Sequence, residues 1–149
     1  MSVEEIKAMQ QAFVDAACRA KEAGYDGVQF HGCHGYLINQ FMSPATNFRT
    51  DEYGGSAENR ARFCSEMISK VRKLCGPDFL ISVRTSGYDC SVEDATAVAE
   101  EYVKAGCNYL QVSNGLTDLK TLPAYKDERV SDIQSLGVYF KEHFNGQVP

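Results

Sequence analysis

The chain has 149 residues, 44% of them hydrophobic, enough for one core of single-domain size. Its formal net charge of -5 and pI near 5.2 come without a basic stripe, which excludes the electrostatic footprint of a nucleic-acid or anionic-membrane binder. No stretch approaches the roughly 18 apolar residues of a spanning helix, no secretory leader pattern opens the chain, and six cysteines without C-x-x-C spacing suit a reducing, cytoplasmic setting.

Ser2 with Glu5 matches a capping box, and Ile6, Met9, Phe13, Ala16 or Ala17, and Ala20 follow at helical spacing. This predicts a helix from Val3 to Ala23, closed by Gly24 in a left-handed cap. Tyr25 to Phe30 then reads as a strand, delivering the polar cluster His31-Gly32-Cys33-His34-Gly35-Tyr36. A long connection follows, through Asn47 and Arg49 to Ser56. Its apolar members Leu37, Ile38, Phe41, Met42 and Phe48 argue that it packs. Arg49, Asp51, Arg60 and Arg62 read as an ion-paired scaffold for it.

Ser56 caps a second helix with Ala61, Cys64, Met67, Ile68, Val71 and Leu74 on one face, stopped by Gly76-Pro77. Phe79 to Val83 is the second strand, with Arg84 at its exit. Ser91 with Asp94 caps a third helix that closes at Gly106, and Tyr109 to Val112 is a third strand ending in Ser113-Asn114-Gly115. After a loop with Pro123, a weaker helix spans Asp132 to Phe144, and a fourth strand would start at Val148-Pro149.

Residues 23–30 and 105–112 share the pattern Ala-Gly-x-(Asp/Asn)-x-apolar-Gln-apolar, so two helix-glycine-strand units follow one design. Such alternation predicts an α/β fold with a parallel sheet. His31, His34 and Tyr36, then Arg84, then Ser113 and Asn114 all follow the carboxy-terminal ends of strands. That is the face where α/β sheets and barrels bind ligands.

The run Gly24 to Leu37, then Gln40-Phe41-Met42-Ser43-Pro44, Asn47, Arg49 to Ser56 and Glu58 to Phe63, resembles the Old Yellow Enzyme family of NADH:flavin oxidoreductases. Val83-Arg84 and Val112 to Gly115 fit the strands that follow. The resemblance implies a partial (β/α)8 TIM barrel with about three of its parallel strands, residues 1–149 being a fragment of a single FMN-binding domain. It implies FMN as cofactor, NADH or NADPH as reductant, and a small-molecule activated alkene as substrate. It further implies that His31 and His34 bind the substrate carbonyl, that Tyr36 is the catalytic proton donor to the α-carbon, and that Arg84 contacts the flavin pyrimidine edge.

Elementary chemistry agrees. Hydride arriving at the β-carbon builds negative charge on the carbonyl oxygen, which two fixed N–H donors stabilise most in the transition state. A phenol with pKa about 10 gives a proton without ionising at neutral pH. A guanidinium favours anionic reduced flavin, and Gly32 and Gly35 would let backbone approach a flat ring. A zinc half-site at His31 and His34 lacks a third ligand if Cys33 points the other way in an extended segment, so no metal is expected. Cys33 itself reads as a packed thiol before a nucleophile, and His143 as an ordinary helix-end residue. Three strands, where a barrel needs eight, leave open edges, which keeps an alternative in view: a non-catalytic half-barrel that binds no flavin and folds only with another copy or half, in a homo-oligomer.

Overall fold

The computed structural model describes residues 1–86, 90–113, 129 and 133–147. In chain order these form α1 (Val3–Glu22), β1 (Gly27–Gly32), α2 (Leu37–Met42), α3 (Ala57–Cys75), β2 (Leu80–Ser86), α4 (Val92–Lys104), β3 (Tyr109–Ser113) and α5 (Ile133–His143). The strands make one parallel sheet in the order β1-β2-β3. Parallel neighbours joined through helices are the expected α/β alternation, and they fit the segment of a (β/α)8 barrel that the resemblance implies. Asn114, Pro123, Asp132 and the strand expected at Val148-Pro149 lie outside the described residues.

The helix starts follow from side-chain capping. Ser2 Oγ accepts from the Glu5 amide at 3.2 Å while Glu5 Oε2 accepts from the Ser2 amide at 2.7 Å, a complete capping box. Ser56 and Ser91 accept from the amides of Asn59 and Asp94 at 3.3 and 3.1 Å. The stops of α1 and α4 are alike in detail. Gly24 and Gly106 have φ of 88° and 105°, and in each case the following amide reaches back five residues: Tyr25 to the Ala20 carbonyl at 3.1 Å, Cys107 to the Tyr102 carbonyl at 3.0 Å. Both are Schellman joints, so the sequence repeat is a structural one.

The buried stripe of α1 is Ile6, Gln10, Val14 and Ala17, while Met9 turns outward. Gln10 is buried because its amide donates to the Phe63 carbonyl at 3.0 Å and to Glu66 at 2.8 Å, where Lys7 and the buried Tyr53 hydroxyl also converge. A pattern search on apolar residues misses such a position. On α3, Leu74 is likewise exposed and the buried face runs through Arg60, whose guanidinium bonds the Met42 carbonyl at 2.9 Å and pairs with Asp94 of α4 at 2.8 Å.

The long connection does pack, but as a helix the sequence reading lacks. In α2, Ile38, Phe41 and Met42 are buried, and Phe41 stacks on Phe63 with centroids 4.3 Å apart. Phe48 departs from expectation, at 81% exposed. Arg49 pairs with Asp51 at 2.5 Å, whereas Arg62 bonds the Glu52 carbonyl and the Asn59 amide oxygen, so the scaffold is ionic only in part.

Alternation separates the two faces of the sheet. Phe30, Ile81, Val83 and Leu110 are buried with the helices; Gln29, His31, Leu80, Tyr109 and Gln111 point to the opposite, open face. At the amino-terminal ends of the strands, Arg72 ties the joints together. Its guanidinium bonds the carbonyls of Gly76 at 2.7 Å, Pro77 at 3.0 Å, Phe79 at 2.7 Å and Gly106 at 2.8 Å, and also the Asn108 side chain.

Candidate active site

The site is built where β1 ends. His31 is within the strand, in register with Arg84 of β2, which is in register with Gln111 of β3. Both residues were expected just beyond their strands; β1 and β2 run on to Gly32 and Ser86, so both side chains project from the ladder itself, a firmer mount than a loop. Gly32 has a packing role within the chain. A Cβ there would lie 3.1 Å from the Arg84 carbonyl oxygen and 3.2 Å from Ile38 and Val83 side-chain carbons, so the glycine permits close packing inside the chain.

Beyond Gly32 the backbone turns. His34 and Gly35 have φ of 60° and 72°, consecutive left-handed residues that glycine accepts freely and histidine accepts at a cost. The turn is pinned by the Gly35 amide donating to Asn39 Oδ1 at 2.8 Å and by Gln40 Nε2 donating to the Gly35 carbonyl at 2.7 Å. Asn39 was not anticipated; an asparagine in the first turn of α2, four residues after a glycine, was the available signal.

This turn brings together what the sequence spaces apart. The His31 ring lies 5.2 Å from the His34 ring and 5.1 Å from the Tyr36 ring, centroid to centroid. His31 and Tyr36 are exposed and His34 is half-buried. From the other strands, Ser113 Oγ stands 2.9 Å from His34 Nε2 and 3.2 Å from an Arg84 amino nitrogen. Arginine only donates, so Ser113 accepts from Arg84, and its hydroxyl can pair with His34 Nε2 in either direction, according to the tautomer of the ring. The sequence reading puts Ser113 on the rim without a partner, since the link spans 79 residues.

Burial, then the positive Arg84 and then His31, hold the His34 pKa below the ordinary imidazole value. Arg84 Nε is buried with no hydrogen-bond partner among the described residues. Cys33 is fully buried, yet its sulfur is 4.0 Å from His31 Nδ1, so it does not point away from the histidines as an extended segment would require. All six cysteines are unbridged. No helix among the described residues is long and apolar enough to cross a membrane.

Several known proteins are similar to this chain. A 42% identical match over 132 residues is the NADPH dehydrogenase of Bacillus pumilus (strain SAFR-032), covering 85% of this chain and 39% of that protein. The NADH oxidase of Thermoanaerobacter brockii is 45% identical over 121 residues, covering 78% of this chain and 19% of its own length. Among solved structures, a complex of 2-naphthoyl-CoA reductase with 2-naphthoyl-CoA superposes with a TM-score of 0.81 at 30% identity, over 96% of this chain and 23% of that one. Morphinone reductase bound to tetrahydroNAD gives 0.67 at 36% identity, over 74% of this chain and 32% of that one. The chain thus spans about two-fifths or less of the relatives named here. The profile of one family of FMN oxidoreductases matches residues 1–126, and the chain belongs to it: the NADH:flavin oxidoreductase / NADH oxidase family.

Proposed function

We propose that this chain is the catalytic middle of an FMN-dependent ene reductase that uses NADH or NADPH to reduce an alkene conjugated to a carbonyl, in a cytoplasmic setting. Bound FMN would supply hydride to the β-carbon. The observation that carries the reading is that the His34 and Tyr36 rings each lie about 5 Å from the His31 ring, on the face where Arg84 Nε is buried without a partner among the described residues.

Each side chain has a role that its position supports. His34, its ring oriented by Ser113, offers an N–H to the substrate carbonyl oxygen, and His31 provides a second donor from the adjacent ring. Tyr36, beside His31 and open to solvent, carries the proton for the α-carbon. Arg84 fits the cofactor's anionic edge because it has one donor saturated by Ser113 and another unspent.

Protein of family length carrying this segment should be yellow and oxidise NAD(P)H when an enone is added. Tyr36→Phe should slow alkene reduction about a hundredfold while flavin reduction by nicotinamide stays close to its original rate. A colourless, inert protein would overturn the flavin reading; flavin absorbance of the 149-residue chain by itself tests the half-barrel remnant, which should bind no FMN. Equal slowing of both half-reactions would remove Tyr36 as proton donor.

A further inference from the structure

We propose that His31, Cys33 and His34 form a binding site for a soft divalent cation of the zinc type. One ligand atom from each of the three lies within 4.8 Å of the others. An extended strand would set Cys33 on the far side, but the chain leaves the ladder after Gly32 and turns left-handed at His34, which carries the thiol round to 4.0 Å from His31 Nδ1. Around tetrahedral zinc, with bonds of about 2.0–2.3 Å, ligand atoms stand roughly 3.4–3.8 Å apart, so a closure of about 1 Å completes the set. His31 can supply that movement, being exposed with two free torsions. The fully buried Cys33 and the Ser113-held His34 form the fixed side.

The donor set decides which metal. Two imidazole nitrogens and one thiolate suit zinc or copper, and among the described residues no carboxylate belongs to the cluster to favour magnesium or calcium. Arg84 opposes any cation here. Cys33 offsets that charge by releasing its proton to solvent as the sulfur–metal bond forms, and water takes the fourth position. A metal so held occupies both imidazoles and so takes their N–H donors away from a substrate carbonyl. Its action as a reversible brake on alkene reduction rests on the function proposed above; the site itself does not.

The test is a cadmium titration of the purified protein, read by its thiolate-to-metal charge-transfer band, together with a zinc competition against a chromophoric chelator. One metal per chain should bind, with magnesium inert. Cys33→Ala and His31→Ala should each weaken zinc binding by about tenfold or more, a loss that even outer-sphere partners produce. His31→Ala alters only an exposed side chain, so it answers the question should Cys33→Ala disturb the core. Cys18→Ser serves as the control, because Cys18 and Cys75 place a second sulfur pair 4.0 Å apart. A band that survives Cys33→Ala and disappears in Cys18→Ser, or zinc affinity indifferent to both site variants, overturns the proposal. Zinc bound by a colourless protein of family length upholds this site and removes the flavin reading; a yellow one that ignores zinc does the reverse.

Discussion

Arg72 and Arg84 mark the two ends of one sheet, and they are used in opposite ways. Arg72 spends its guanidinium on the carbonyls of Gly76, Pro77, Phe79 and Gly106 and on Asn108. Arg84 makes one bond to Ser113 and keeps a buried Nε without a partner among the described residues. Both sites are partly buried, so solvent does not explain the difference. An arginine that holds a fold together saturates itself with backbone oxygens; one that awaits a ligand carries an unspent donor.

The largest effect should come from breaking the saturated end. Arg72→Ala leaves several carbonyls without their charged donor and should cost about 3 kcal/mol of stability, read from the urea midpoint. A change below about 0.5 kcal/mol would show the clasp to be idle. Arg84→Met should give the complementary result: stability altered by less than about 0.5 kcal/mol, but FMN affinity of the family-length protein down about 10- to 100-fold. Loss of stability with unchanged flavin affinity would erase the contrast. Ser113→Ala, which unlinks Arg84 from His34, should cost about 1 kcal/mol and raise the KM for an enone several-fold, with kcat moving less.

The smallest effect concerns protonation. Burial first, then Arg84 and then His31, depress the His34 pKa, so the folded chain binds that proton more weakly than the unfolded chain. The stability involved is fully present above the ordinary imidazole value of about 6.5 and is lost as pH falls through the depressed folded value. In Arg84→Met the folded value should rise toward the ordinary one, narrowing the loss, and NMR titration of the His34 ring would record it. An unmoved titration would mean that Arg84 does not act on this ring.

The sequence revealed most where the rule is local. Ser2, Ser56 and Ser91 cap their helices and Gly24, Gly76 and Gly106 end them because each device acts within about five residues. His31, His34 and Tyr36 were legible for the same reason: one turn spans them. What escaped notice is non-local. The Arg72 clasp reaches Asn108 and the Ser113–His34 bond crosses the sheet, and neither leaves a periodic trace. The short α2 escaped because Tyr36 gives it no side-chain cap, and Gln10 because burial there depends on partners supplied by α3. The exact ends of β1 and β2, which decide whether His31 and Arg84 ride on strand or loop, needed the ladder register.

The twin joints at Gly24 and Gly106 carry one more implication. Each is closed by main-chain bonds and asks of its sequence little more than a residue without a side chain. Such a hinge can be copied without copying whatever stands at the far tip of the strand it launches. One copy here leads to a pair of imidazoles, the other to a lone hydroxyl. Reactivity can therefore be rewritten at one lip of the molecule while the masonry beneath stays as it was.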